Sequence, residues 1–308
     1  MKYQAYRIEF QGLVHLGKHS LDDTSCSFHA DTLFSALCIE AFRRSSETLE
    51  KLVSFAREKK LRFTDAFPYM GDRYFLPKPY FHIENKLKPG DSSIKKAYKN
   101  MLYIPVDQYT IFLQGMLPAE QTGLLEGLGH KSMKTSVSIR GLDEPMPYRV
   151  SIYRFNEGNG LYLIFAYEDQ SVRDFTEDLL SGVALEGIGG KRSSGFGRFE
   201  FFNTALPKEL ENRFSKEYPH YITLSSALPV DEEMENALDG ASYQVIRRSG
   251  FVASDHYAPQ QMRKKDLYVF SAGSCFKNRF QGVIADVSAY GNHPVYRYAK
   301  PFFMGVDV

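Results

Sequence analysis

Apolar side chains recur at every second position near the start of the chain, where Tyr6, Ile8 and Phe10 are separated by charged residues. This period of two predicts a β-strand with one buried face. After a polar loop the apolar spacing becomes three and four residues. That spacing predicts a helix with Asp31 at its N-cap and a second helix over 47–57.

The next part of the chain is irregular. Prolines and aromatic residues fill 65–80, where proline disfavours regular pairing. The lysine-rich stretch 83–98 is interpreted as a loop or a loose insertion. A short strand over 101–106 and a short helix over 107–113 then lead to Gly115, which would end the helix.

From 118 to 147 the periodicity fades, and such long connections often carry function. Within this stretch, 131–140 has the pattern of one arm of a β-hairpin, and Tyr148 begins a long strand. A tight turn at 157–160 precedes a hydrophobic strand. A helix with Ser171 as its N-cap follows.

A polar linker is predicted over 207–219, and a second unit follows it. The pattern of that unit predicts one helix over 231–238 and strands at 221–224, 242–248, 266–272, 282–287 and 295–298. Strand–helix–strand order with antiparallel hairpins favours an α+β fold built from two ferredoxin-like domains. Sheets of this type often bind single-stranded RNA.

A glycine-rich basic segment stands between the predicted helix and the next strand. Six glycines fall between Gly182 and Gly197, together with Lys191 and Arg192, and no acidic residue lies between Gly187 and Phe199. Glycine permits positive φ and close approach, and successive free N–H groups form a concavity for anions. The order helix–loop–strand excludes a P-loop and a dinucleotide fingerprint, which both need strand before helix. A polyanion-binding loop is therefore favoured, the alternative being a mobile hairpin with solvated cations.

Composition limits the kinds of partner and compartment. The 308 residues suffice for two domains, and a net charge of +1 means that any polyanion site is local. Three scattered cysteines argue against a disulfide framework and favour a reducing cytoplasm. No segment reaches the roughly 18 apolar residues of a membrane span, so no membrane partner is expected.

Three segments together resemble the RAMP superfamily of CRISPR effector proteins: the stretch 28–37 after the first strand, the region 134–149, and the glycine loop 187–197. The helix entry at 29–33 is most similar to the Cas5-like capping subunit of the type III-A (Csm) complex. The resemblance implies two ferredoxin-like (RRM-like) domains over 1–205 and 206–308, with an inserted thumb-like β-hairpin at about 118–149.

The same resemblance implies a non-catalytic subunit that grips the 5′ handle of the guide RNA. Its protein partners would be the large polymerase-like subunit and the first backbone subunit. Met133 would be an apolar wedge on the hairpin. The residues assigned to RNA binding are His15, Lys18, His19, Ser20, Lys131, Met133, Lys134, Arg140, Gly187, Gly189, Gly190, Lys191, Arg192, Ser193, Ser194, Gly195 and Gly197.

A catalytic role and a protein-binding role remain as alternatives. His15, His19 and His29 have the residue type for acid–base catalysis, so a standalone, metal-independent ribonuclease that processes guide RNA is the second hypothesis. A third is a scaffold whose loop binds a neighbouring protein. Asp31 has the ordinary role of an N-cap, and the carboxylate clusters match no metal site. We therefore expect no catalytic residue, metal or cofactor, while the basic segments 247–248 and 263–265 are open between an RNA channel and a protein interface.

Overall fold

The computed structural model describes residues 1–17, 20–84, 86–87, 91–118, 123–138, 146–254 and 257–307. The helices are α1 (Ala30–Arg44), α2 (Ser46–Arg57), α3 (Ser92–Asn100), α4 (Tyr109–Leu113), α5 (Gln170–Glu186), α6 (Lys208–Ser215) and α7 (Asp231–Leu238), with short 3₁₀ turns at Val106–Gln108, Leu124–Gly127 and Arg192–Ser194.

The strands are interspersed among these helices along the chain. They are β1 (Lys2–Phe10), β2 (Leu16–Gly17), β3 (Thr24–Ser25), β4 (Leu61–Phe63), β5 (Phe67–Met70), β6 (Arg73–Pro77), β7 (Tyr103–Pro105), β8 (Gly129–Ser138), β9 (Met146–Phe155), β10 (Asn159–Tyr167), β11 (Phe199–Thr204), β12 (His220–Thr223), β13 (Val245–Arg248), β14 (Leu267–Phe270), β15 (Cys275–Phe276), β16 (Val283–Asp286), β17 (Tyr296–Ala299) and β18 (Phe303–Val306).

The largest sheet has the strand order β11-β1-β10-β5-β6-β7, and β4 also pairs with β10. β1 lies between β10 and β11 and pairs antiparallel with both. Because β11 follows the glycine loop directly, this pairing holds one end of the loop beside the first strand. The predicted order of helix, glycine loop and strand is confirmed.

Helices α1, α2 and α5 cover one face of this sheet. Leu33 of α1, Leu52 of α2 and Leu179 of α5 are buried in one hydrophobic cluster with Ile8 and Leu163 of the sheet. The apolar spacing in each helix produces this arrangement, since residues three and four apart share a face. The site described below lies where α5 ends at the border of this cluster.

After residue 206 the strands form smaller sheets. β15, β12 and β18 pair in that order, β13 pairs with β14, and β16 pairs with β17. Tyr298 on β17 packs in the cluster under the large sheet, and Leu210 on α6 packs in a second cluster that also includes Tyr162 of β10. The division at 205/206 stays a prediction, and buried contacts cross it.

Two predicted helix caps are wrong. α1 begins at Ala30 with His29 at its N-cap, and the Asp31 carboxylate instead pairs with Arg248 and Arg297. In α5 the N-cap is Asp169, whose Oδ1 accepts from the backbone N–H of Ser171 at 2.8 Å. A local pattern does not show that a distant arginine competes for a carboxylate.

Two segments predicted as irregular contain helices. α3 (Ser92–Asn100) begins inside the stretch 83–98 and extends past its end. α6 (Lys208–Ser215) lies within the predicted linker 207–219. Each is short and polar, and each shows one buried side chain among its described residues, Tyr98 and Leu210. A single buried residue produces no periodic signal, which is why the sequence did not predict these helices.

Candidate nucleic-acid interface

The glycine loop 187–197 leaves the end of α5 at Gly187, whose φ is +87° and whose N–H donates to Val183 O at 2.8 Å. Within the loop, Ile188 N donates to Gly197 O at 2.9 Å. Gly197 has φ +78°, and a Cβ there would collide with the carbonyl of Ile188. The loop is therefore folded back on itself, and only glycine fits at its closure.

The segment that follows β1 packs directly beneath the loop. Gly190 N donates to His15 O at 2.9 Å, and a Cβ on Gly189 (φ +95°) would lie 2.5 Å from the same oxygen. His15 is 4% exposed, and its Nδ1 lies 2.7 Å from Ser151 O. The sequence placed His15 against RNA, whereas the structure places its ring beneath the loop as a support.

The outer part of the loop presents unused backbone donors. The 3₁₀ turn Arg192–Ser194 ends with Ser194 N donating to Lys191 O and Gly195 N to Arg192 O. Within the described ranges, the N–H groups of Lys191, Arg192 and Ser193 have no intrachain acceptor. Lys191 has φ +60°, a left-handed conformation that is uncommon for a residue with a side chain. Three successive free N–H groups beside a left-handed residue suit an anion.

The side chains of the loop are cationic. For the described residues, no carboxylate lies within ion-pair distance of Lys191 or Arg192. Ser193, Ser194 and Gly195 are exposed. The loop therefore combines free amide donors, two cations without an acidic partner and two exposed hydroxyls, a set of groups that binds phosphate.

Tyr148 holds Lys191 in place. Lys191 Nζ donates to Tyr148 Oη at 2.8 Å and lies 4.4 Å from the centre of its ring. This hydrogen bond lowers the pKa of Tyr148. Sequence reasoning identified Tyr148 only as part of a strand, because nothing local marks it as the partner of a residue 43 positions away.

The β8–β9 hairpin packs on the same loop. Its strands pair from Gly129 with Phe155 to Ser138 with Met146, which confirms the predicted hairpin arm. Phe196 of the loop is buried with Val150 and Ile152 of β9. Lys134 Nζ lies 5.4 Å from the centre of the Phe196 ring. The hairpin base and the loop therefore form one packed unit.

The remaining predicted contacts are distributed around this unit. Met133 projects from β8 with 48% exposure, and Lys131 pairs with Asp23 at 2.9 Å. Ser20 is exposed and donates to Asp22. Lys18, His19 and Arg140 lie outside the described residues.

The histidines of the ribonuclease hypothesis have separate environments. His29 Nδ1 lies 2.7 Å from Asp65 Oδ2 and 3.3 Å from Ser226 Oγ, whereas His15 contacts Ser151 and the glycine loop. The rings of His15 and His29 therefore contact different groups, and no contact among the described residues brings both rings to one substrate atom. In the described part of the chain, no group of three metal-ligating side chains occurs, and no helix has the length and apolarity to cross a bilayer.

Comparison with known proteins gives consistent similarities. Residues 216–306 match the family model described as the CRISPR Csm4 C-terminal domain. The curated Csm4 protein of Mycobacterium tuberculosis (strain H37Rv) is 39% identical, over 99% of this chain and 98% of that protein. The Csm4 protein of Streptococcus thermophilus is 33% identical, over the full length of both.

Two solved structures share the fold. A chain of the Csm3–Csm4 subcomplex of the type III-A CRISPR-Cas interference complex superimposes with a TM-score of 0.67 at 18% identity, covering 99% of this chain and 100% of that one. A chain of the Csm1–Csm4 cassette in complex with cA4 gives a TM-score of 0.61 at 19% identity, covering 100% and 99%.

Proposed function

Because this chain belongs to the Csm4 family of type III-A CRISPR effector subunits, we propose that it holds the 5′ handle of the guide RNA at the foot of that complex. The protein is a binding subunit in this proposal and not an enzyme. The 39% identity over nearly the whole chain carries the family membership. The residues of the glycine loop carry the proposed RNA contact.

One observation supports the RNA contact most directly. The free N–H groups of Lys191, Arg192 and Ser193 lie next to two cationic side chains that have no carboxylate partner among the described residues. A phosphodiester presents oxygens that accept from such donors, and amide donors held in place by the fold lose little entropy on binding. The glycine loop therefore fixes the position of an RNA backbone without reading its bases.

The β8–β9 hairpin extends this interface. Met133 is a large apolar side chain exposed on β8, and the partner strand β9 packs against the glycine loop. Unstacked bases of single-stranded RNA bind apolar and aromatic side chains. We propose that the hairpin is the thumb of the fold, that Met133 contacts a displaced base and that Lys134 contributes charge beside it.

The fold fits this role. The strands β11, β1, β10 and β4 lie side by side in that order. Along the chain, α1 follows β1 and α5 follows β10, which is the arrangement of a ferredoxin-like domain. We propose a ferredoxin-like domain over 1–205 and a second one over 206–308. The proposed protein partners are the large subunit and the first backbone subunit, since the solved relatives are a Csm1–Csm4 cassette and a Csm3–Csm4 subcomplex.

The test compares two pairs of basic residues. The double variant Lys191→Ala/Arg192→Ala should weaken binding of a guide-handle RNA and reduce the slope of log affinity against log salt by about 1.4, as expected for two lost phosphate contacts on a single strand. The matched control, Lys95→Ala/Lys96→Ala, removes two exposed lysines of α3 and should leave the slope nearly unchanged.

Fluorescence anisotropy at several salt concentrations measures both effects. The RNA retained by the assembled complex gives a second readout. If the double variant kept the affinity and the slope of the unmodified protein, the glycine loop would not contact RNA.

A further inference from the structure

Two cations contact hydroxyl groups on the first turns of α1. Arg248 Nη2 donates to Thr32 Oγ1 at 3.3 Å, and Lys264 Nζ donates to Ser35 Oγ at 3.2 Å. Thr32 and Ser35 are three residues apart on one helix, so their Cβ atoms are about 5–6 Å from each other. The two hydroxyls therefore hold a guanidinium and an ammonium at neighbouring positions of one face.

The nearby carboxylates, Asp31 and Asp65, each accept several hydrogen bonds. Asp31 accepts from Arg248 at 2.7 and 2.9 Å and from Arg297 at 2.6 Å. Asp65 accepts from His29, from the N–H of Ala30 and from the N–H of Ser226. Asp31 thus forms ion pairs with two arginines at once.

Lys264 has no acidic partner of its own. No carboxylate of the described residues lies within ion-pair distance of its Nζ, and the residue is half-buried. Burial, followed by repulsion from Arg297, lowers the pKa of Lys264 to about 8, against the attraction of Asp31. Partial burial disfavours an ammonium that has no ion-pair partner, so an anion bound next to Lys264 would stabilise its charged form.

A second donor in the same cluster is also unused. Arg297 is 5% exposed, and its Nε has no hydrogen-bond partner among the described residues. The cluster is therefore short of acceptors as well as of negative charge. It remains open to solvent, because Lys264 is only half-buried and the Arg248 side chain is 22% exposed.

We propose that Lys264, Arg248, Thr32 and Ser35 form a binding site for one phosphate group. An oxyanion placed between the ammonium and the guanidinium accepts from both and from the Ser35 hydroxyl, while Thr32 holds the guanidinium of Arg248 in place. Phosphate suits the site better than a carboxylate, because its additional oxygens match donors that converge from several directions. The phosphate comes from free phosphate or a nucleotide, or from the backbone of single-stranded RNA.

This site uses different side chains from those of the glycine loop. Lys191 contacts Tyr148, whereas Lys264 contacts Ser35 on α1, and the two lysines have no partner in common. The proposal does not depend on RNA binding by the loop. The variant Lys191→Ala/Arg192→Ala should accordingly retain phosphate binding at Lys264.

The experiment measures the reactivity of individual lysines in the full chain. Amine acetylation near pH 8, resolved by tandem mass spectrometry, is followed with inorganic phosphate and with chloride at equal ionic strength. At a phosphate concentration about ten times the dissociation constant, acetylation of Lys264 should slow about tenfold. Lys265, which is exposed and adjacent, should react at an unchanged rate.

Two variants make the test independent of reactivity. Phosphate should raise the melting temperature of the unmodified protein and of Lys265→Met by the same amount, and should raise that of Lys264→Met by less, since only the contribution of the glycine loop and of general phosphate stabilisation would remain there. An equal shift in Lys264→Met, or equal acetylation of Lys264 in phosphate and chloride, would overturn the proposal.

A third arm identifies the source of the phosphate. Protection of Lys264 by a short single-stranded RNA at micromolar concentration identifies a polynucleotide, and protection by phosphate or a mononucleotide alone identifies a small ligand. Protection by an acidic peptide alone would overturn the phosphate assignment and indicate a protein partner.

Discussion

Asp31 shows how a single residue changes role between sequence and structure. Its place in the first turn of α1 is typical of an N-cap or of an acid that favours the helix dipole, yet its carboxylate is buried and binds two arginines from the C-terminal part of the chain. Burial alone would raise its pKa, but Arg248 and then Arg297 outweigh burial and hold the pKa well below its usual range.

Asp31→Asn should lower the free energy of unfolding by about 3–5 kcal/mol at neutral pH, because the buried Arg297 and the half-buried Arg248 would lose their counter-charge. Asp178→Asn is the control, since that carboxylate pairs with Arg44 on the exposed surface and should be close to neutral. Urea unfolding measures both variants.

The loss should also depend on pH. The folded pKa of Asp31 is depressed, so its stabilisation is complete above the unfolded pKa of about 4 and is lost as pH falls toward the folded value. The difference between Asp31→Asn and the unmodified protein should therefore narrow in acid. Equal effects of Asp31→Asn and Asp178→Asn at neutral pH would contradict the ion-pair interpretation.

At the scale of elements, α5 determines where the glycine loop begins. Asp169 caps its N-terminus by accepting from the N–H groups of Ser171 and Val172, and Gly187 ends it with positive φ. Thr176, Leu179 and Val183 are buried along one side. A helix held by one cap and one buried face keeps its C-terminal end, and thus the start of the loop, at a constant position.

Asp169→Ala should lower the melting temperature by roughly 1–3 °C, because two N–H groups at the helix start would lose their acceptor. Ser171→Ala should have a smaller effect, since the Ser171 hydroxyl donates to the same Asp169 oxygen and caps no backbone group. Differential scanning calorimetry compares them. A larger loss in Ser171→Ala would restore Ser171 as the N-cap.

At the scale of the molecule, the N-terminal and C-terminal parts share a core. The ring of Tyr298 is fully buried, lies 4.4 Å from that of Phe63 and 5.6 Å from that of Phe34, and its hydroxyl accepts from Phe63 N at 3.3 Å. The ion pairs of Asp31 cross the same boundary. We therefore expect residues 1–205 and 206–308 to unfold together.

Tyr298→Ala should cost about 3–5 kcal/mol of stability, as removal of a large buried ring does. Amide hydrogen exchange should then show weaker protection in β4 as well as in β16 and β17. Tyr290→Ala, which removes a ring that is 90% exposed, is the control and should change neither region. Loss of protection confined to residues after 206 would show that the two parts are independent domains.

Local patterns were sufficient for much of the fold and for the centre of the candidate site. The period of two in β1, the helical spacing of Leu33 and Leu37, and the helix 231–238 are recognisable from sequence because each depends on neighbours a few residues away. The glycine loop was recognisable for the same reason: positive φ and closely spaced cations are properties of one short segment.

Contacts between distant residues required the tertiary structure. The burial of His15 under the loop, the contact of Tyr148 with Lys191 and the pairing of Asp31 with Arg248, 217 positions away, join segments that have no local signal for one another. The sequence by itself determined the strongly periodic strands and helices and the place of the glycine-rich cationic turn, but not α3, α6 or the strands within 65–80. The tertiary structure decided which donors and charges stay unpaired, because that depends on which acceptors folding brings within hydrogen-bonding distance.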